Sequence, residues 1–229
     1  MRNVSFLKNF LFEQQYKIHY DIPMSNEEKV KEIIKRLHKL YPNPRTALEY
    51  SSPFELLIAT IMSAQCTDKL INIVSPTLFE KFPTPAGMAQ ATVEEIDEII
   101  KKVTFHSNKA KNIKAASQLI VDQHKGEVPH TMEELDALPG VARKTANVVL
   151  GDAFNKSEGI VVDTHVRRLS NRLGLTTKQD PVKIEQDLMA IVPRDYWIKF
   201  PHYLILYGRE YAPARPKADI EDILEDLYI

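Results

Sequence analysis

Cysteine is almost absent: Cys66 is the single one in 229 residues. An internal disulfide is therefore excluded, and so is any metal or iron–sulfur site built from four cysteines. No cofactor is expected on that ground. Such sparing use of cysteine fits an intracellular chain, placed in the cytoplasm. No apolar run is long enough for a helical membrane span, so no membrane partner is expected. The N-terminus has only Arg2 and Lys8 around its short apolar patch, with no small-residue cleavage site behind it. It does not read as a secretory signal, and a degenerate organelle signal stays open.

An excess of positive charge is also missing. The net charge is −1, which does not advertise a nucleic-acid partner. Its distribution says more. The segment from Lys217 onward carries one lysine against five acidic residues, leaving the rest of the chain at +3. Between Lys101 and Arg172 there are 12 basic and 8 acidic residues, so the middle is mildly basic and the tail masks it.

What is present is helical periodicity almost throughout. Ser25 to Glu28, Thr92 to Glu95 and Thr131 to Glu134 each fit a capping box, in which a hydroxyl and a glutamate satisfy free N–H groups. Amphipathic runs follow, divided by short turns, among them Pro83-Thr-Pro85, Pro139-Gly140 and Asp180-Pro181. Only Ile160 to Val162 looks extended, and three residues do not make a sheet. The pattern predicts an all-α fold of ten or so helices, with residues before about Asn26 as an appendage.

One stretch stands out: LPGVARKTANVVL, Leu138 to Leu150, with Asp163 nineteen residues after Lys144. Pro139 and Gly140 turn the chain between two helices. Such a turn leaves amides free at a positive helix end, where a phosphate can dock. It is equally the form of an ordinary corner between helices. Lys144 lies at the border of the apolar face of the second helix, with its stem packed and its amine free. That suits a nucleophile aimed into a cleft, or a surface lysine lying along the protein. An ordinary lysine amine is neutral in roughly one molecule per 2,500 at pH 7, so nucleophilic use requires desolvation, nearby positive charge or a base to take the proton. Asp163 supplies a carboxylate. It directly precedes the helix THVRRLSNRL and fits an N-cap. A cap stays ionised and fixed, which also suits stabilising a cationic sugar transition state. Tyr203, Tyr207 and Tyr211 form a stripe that reads as core. Lys109, Lys111, Lys114, Arg167, Arg168 and Arg172 read singly as solvated residues and together as a track for a phosphate backbone.

LPGVARKTANVVL followed by VDTHVRRLSNRLGL strongly resembles the endonuclease III family of helix–hairpin–helix DNA glycosylases. The likeness extends to FELLIATIMSAQCTDK, NKAKNIKAASQLIVDQHKGEVP and HYLILYGREYA, and covers roughly residues 26 to 217. It implies two helical domains with a cleft between them. One is residues 46–156, carrying the helix–hairpin–helix motif. The other joins 26–45 to 157–229, and 1–25 is the appendage. The implied activity is that of a DNA glycosylase and AP lyase, excising oxidised or damaged pyrimidines from double-stranded DNA and nicking the strand through a lysine Schiff base. The family's catalytic lysine falls on Lys144 and its aspartate on Asp163. The gap-filling glutamine falls on Gln65, the intercalating loop on Phe105 and His106, and the hairpin glycines on Gly140 and on position 142. Lys109, Arg143, Thr145, His165 and Arg168 complete the expected DNA-facing set, with His165 also reading as a packing histidine. A monomer is expected.

The chain departs from the family at three places. Ala142 replaces the second hairpin glycine, and Thr104 stands where the intercalating loop usually has glycine. The family's four-cysteine cluster is gone, with Ala212 where its first ligand is expected. Monofunctional relatives such as adenine glycosylases lack the lysine, so Lys144 favours a bifunctional enzyme. The rival from another class is a non-catalytic or AP-site-only DNA-binding protein that kept the hairpin and lost turnover.

Overall fold

The computed structural model describes residues 24–214 and 222–229. Of the expected appendage, only Met24 and Ser25 fall within them. The described residues contain eleven α-helices, two short 3-10 turns and no strand. The helices are α1 (Asn26–Leu40), α2 (Pro53–Ser63), α3 (Asp68–Lys81), α4 (Pro85–Gln90), α5 (Val93–Ile100), α6 (His106–His124), α7 (Met132–Asp136), α8 (Arg143–Phe154), α9 (Thr164–Arg172), α10 (Pro181–Ile191) and α11 (Lys199–Glu210). No helix among the described residues is long and apolar enough to cross a membrane.

Local signals set most of the boundaries. Ser25 and Thr92 form the expected reciprocal capping boxes with Glu28 and Glu95. Thr131 accepts the Glu134 N–H, but its hydroxyl donates to the Glu134 carboxylate at 2.7 Å, so the reciprocal bond does not form. α4 replaces what the prolines suggested was a turn. Pro85 sits in its first turn, where a missing N–H costs nothing, and the Thr84 hydroxyl caps it. Ile160 to Val162 is irregular backbone.

The apolar residues gather into two cores. The first is contiguous in sequence, from Leu48 to Leu150, and draws on α2 to α8. α2 runs through it with eight buried residues from Phe54 to Met62, the signature of a helix enclosed on all sides. Full burial of each such large side chain stabilises by roughly 1.5–3 kcal/mol. The second core is discontinuous. It joins Val30, Ile33, Ile34 and Leu37 of α1 to residues between Ile160 and Leu227. The tyrosine stripe of α11 packs here: Tyr203 and Tyr207 are fully buried, and Tyr207 stacks on Tyr211.

The acidic tail folds back where it is described. Leu224 and Leu227 are buried in the second core. Arg36 grips Asp226 through two bonds of 2.6 and 3.0 Å and donates to the Ile223 carbonyl. Asp222 accepts from the hydroxyls of Tyr207 and Tyr228, and the Arg172 guanidinium lies 3.8 Å from the Tyr228 ring centre. Residues 215–221 lie outside the described set.

Candidate active site and nucleic-acid interface

The hairpin forms as a turn of Leu138 to Val141 between α7 and α8, closed by the Val141 N–H on the Leu138 carbonyl at 3.1 Å. Gly140 has φ +80°, and a Cβ there would lie 2.9 Å from Asn112 Cβ on α6. Both conditions require glycine. Position 142 does not. Ala142 is extended at φ −112°, ψ 167°, exposed, and makes no side-chain cap bond. The alanine therefore fits the backbone without strain, and the first amides of α8 are left without a side-chain cap.

Lys144 and Thr145 follow in the first turn of α8. Lys144 is exposed and Thr145 half-buried. Asp163 is the N-cap of α9, accepting the Val166 N–H at 2.8 Å. Lys144, Thr145 and Asp163 line the same cavity of about 210 Å³, with Gln65 also on its wall. Its walls come from both cores, since α2 and α8 contribute one side and Val161 and α11 the other. The volume is below the range of drug-sized pockets, about 300–1,000 Å³, and suits one small ring.

Two loops carry left-handed residues outside any glycine. Gln65 and Phe105 both have φ +57°. Such residues cost on the order of 1–3 kcal/mol each and persist where the surroundings impose them. Both are exposed, and Phe105 is 60% exposed, unusual for a large aromatic residue. His106 behaves otherwise. It is the first residue of α6, and its Nδ1 lies 2.6 Å from an Asp97 carboxylate oxygen. The ring is tied to α5 and remains partly exposed, whereas Phe105 projects without a side-chain partner among the described residues.

Three expected DNA contacts are occupied inside the protein. Lys109 is a correction. It is 6% exposed, and its amine donates to the carbonyls of Met62 and Ala64 at 2.7 and 2.5 Å, capping the end of α2. Lys114 repeats the pattern on α4, donating to Ala89 and Ala91. Arg143 is exposed but partly engaged. Nε and Nη2 are both engaged at 3.0 Å by Glu185 of α10, which is 6% exposed. Arg168 donates inward to the Gly208 carbonyl at 3.4 Å, yet it also borders a shallow surface groove with His165 and Arg167. His165 is half-buried beside Gly208, and its Nδ1 has no hydrogen-bond partner. Burial holds its imidazole below the ordinary range, against the upward pull of Asp163 and with Arg168 and Arg209 adding to the depression.

The sequence reading missed three links between helices of the two cores. His202 of α11 meets Asp152 of α8 at 3.1 Å, both well buried. Arg209 of α11 pairs with Asp68 of α3 at 2.7 Å, and both line the cavity. Glu185 also accepts from Asn147 at 3.2 Å, and a Cβ on Gly159 would lie 1.9 Å from its carboxylate. Each pair is far apart in sequence, so no local pattern announces it.

The residues present do not fit the four-cysteine cluster that the family resemblance implies. Ala212 is buried in the second core, and the single thiol, Cys66, lies in the Gln65 loop. No step of the chemistry is routed through such a group.

Comparison with known proteins agrees with this geometry. A profile described as HhH-GPD superfamily base excision DNA repair protein matches residues 58–194. Endonuclease III of Synechocystis sp. is 50% identical over 191 residues, 83% of this chain and 87% of its own. Endonuclease III of Escherichia coli strain K12 is 42% identical over 202 residues, 88% of this chain and 95% of its own. A solved structure of a trapped endonuclease III–DNA covalent intermediate superposes with TM-score 0.82 at 38% identity, covering 88% of this chain and 95% of its own. A non-covalent endonuclease III–DNA complex gives 0.83 at 38% identity, covering 88% and 94%. The chain belongs to the endonuclease III family, within the HhH-GPD superfamily of base excision DNA repair proteins.

Proposed function

We propose that this protein is a bifunctional DNA glycosylase and AP lyase of base excision repair. It removes oxidised or ring-damaged pyrimidines from duplex DNA and nicks the strand by β-elimination. One observation carries the site assignment: Lys144 in the first turn of α8 and Asp163 at the N-cap of α9, nineteen residues apart, line one small cavity between the two cores. The two separate cores support division of the chain into 46–156 and 26–45 plus 157–229.

The hairpin amides and the start of α8 bind a phosphate without reading bases. The damaged nucleotide leaves the stack at a cost of a few kcal/mol, less for a lesion, and its base enters the cavity. Gln65 and Phe105 occupy the gap. Asp163 stabilises positive charge developing on the sugar and takes a proton from the Lys144 amine. The amine attacks the anomeric carbon, the glycosidic bond breaks, and the departing base takes up the proton that Asp163 accepted from the amine. Loss of the ring oxygen bond gives the Schiff base. Removal of a proton from the adjacent sugar carbon then expels the 3′ phosphate. The protein acts as a monomer, and its four-cysteine site is replaced by packing of the second core.

Borohydride trapping on a duplex with an abasic site or thymine glycol tests this. A covalent protein–DNA adduct is expected for the wild type and none for Lys144→Gln. Absence of the adduct in the wild type, or its survival in Lys144→Gln, overturns the lysine assignment. Tight binding without nicking would mark a DNA-binding protein that has lost turnover.

A further inference from the structure

The left-handed residues divide into two kinds. Lys125 and Asn155 end α6 and α8, and their N–H groups close the last turns, the usual reason for that conformation. Gln65 and Phe105 do not end a helix in this way. They lie 40 positions apart, on the loop after α2 and at the start of α6, and both project outward.

Lys109 joins these two loops. Its backbone N–H bonds to the Phe105 carbonyl at 3.1 Å, closing the first turn of α6. Its amine holds the Ala64 carbonyl at 2.5 Å, which belongs to the peptide group leading into Gln65. A second link runs beside it. The Thr104 N–H, just before Phe105, donates to Cys66 Sγ, just after Gln65, at 3.2 Å. The amine also lies 3.7 Å from that sulfur. Burial pushes the Lys109 amine below its ordinary range. A buried ammonium is costly unless its donors are met, and here carbonyl and sulfur acceptors surround it.

We propose that Lys109 is a positioning residue that fixes the Gln65 and Phe105 loops to each other, so that both side chains enter the base stack as one rigid wedge. This rests on the glycosylase reading above. A wedge must hold its shape while the duplex resists opening. Two independently mobile loops would spend binding energy on their own ordering, whereas a pre-formed pair does not. The first link bonds the backbone of Phe105 to the peptide before Gln65, and the second bonds the residue before Phe105 to the residue after Gln65. Movement of either loop therefore breaks a bond to the other.

The test separates this role from simple capping of α2. Lys109→Met keeps the stem and removes the donors. Cys66→Ala removes the Thr104 bond and the sulfur contact of the amine, leaves both carbonyl bonds of Lys109 in place, and keeps the fold if methionine at 109 does not. Three readouts are compared with wild type: single-turnover excision from a thymine-glycol duplex, borohydride trapping on single-stranded abasic DNA, and fluorescence of 2-aminopurine opposite a tetrahydrofuran abasic analogue. Single-stranded DNA offers no stack to wedge open. Lys109→Met should excise from the duplex about tenfold or more slowly, because small misplacements cost rate steeply. Trapping on the single strand should stay within about threefold, and the 2-aminopurine signal should fall. Cys66→Ala should shift the same readouts in the same direction, by less. Equal losses on both substrates, or no loss of fluorescence, would overturn the proposal. An inactive wild type would overturn the glycosylase reading instead, and the fluorescence comparison, which needs no turnover, would still decide the brace.

Discussion

Arg143 and Glu185 meet across the boundary between the two cores in a two-pronged ion pair, both contacts at 3.0 Å. Arg143 opens α8, one residue before Lys144. Glu185 is buried on α10 and also holds Asn147, one turn further along α8. The pair therefore sets the start of α8 against the body that carries Asp163.

Glu185→Ala should destabilise the fold by about 1–3 kcal/mol, the range for leaving buried partners unmet. The half-exposed Arg143 regains water and limits the loss. AP lyase turnover should fall by about tenfold or more as Lys144 shifts against Asp163. Urea unfolding and a nicking assay check the two effects, and an unchanged unfolding midpoint would remove the strut from the account.

Asp163 has two roles that different substitutions separate. Asparagine caps helices as well as aspartate, whereas alanine loses about 1 kcal/mol. Asp163→Asn should fold and bind DNA like wild type with turnover reduced by about a hundredfold or more, as for removal of a transition-state electrostatic partner. Asp163→Ala should lose stability as well. If asparagine retained full turnover, the carboxylate would be a cap alone.

Gly140 and Ala142 should respond in opposite ways. Gly140→Ala combines a positive φ with the contact at Asn112 and should cost about 1–3 kcal/mol together with phosphate affinity. Ala142→Gly relieves no strain and should change stability by less than about 1 kcal/mol. Thermal unfolding and binding to an undamaged duplex at two salt concentrations measure both. Equal effects at the two positions would contradict the conformational argument.

His165 predicts a pH dependence of stability. Its folded pKa is held below the ordinary value of 6.5, chiefly by burial. The unfolded chain therefore binds a proton first as pH falls. The contribution is complete above about pH 6.5 and declines as pH drops through the lower folded value. Urea midpoints at pH 7.5 and pH 5 should differ more for wild type than for His165→Gln. Identical differences would show that other groups set the acid limb.

The sequence carried those parts of the site whose chemistry is local. The hairpin, Lys144 and the Asp163 cap lie in continuous stretches, and caps and turns are read from neighbours a few residues away. The internal partners of Lys109 and Arg143 are not legible in the sequence for the converse reason. A basic residue in a mildly basic stretch looks like a phosphate contact until its acceptor is known, and here those acceptors are Met62 and Ala64 on α2 and Glu185 on α10. The Asp152–His202 and Asp68–Arg209 links were invisible because folding alone creates them. α4 was hidden by a rule that is right for helix interiors and wrong at a first turn, where Pro85 sits.

The contrast between a contiguous and a discontinuous core has a consequence for synthesis. All members of the first core, Leu48 to Leu150, have been made before Asp163 is added, so that core can close while translation continues. The apolar face of α1 has no such option. Val30, Ile33 and Leu37 wait for residues beyond Ile160, those of α10 and α11 among them. During that interval the ribosome holds a half-folded chain with the apolar face of α1 uncovered, the kind of surface a chaperone would recognise. The cavity between the cores, and with it any reactivity of Lys144, comes into being only when the second core closes.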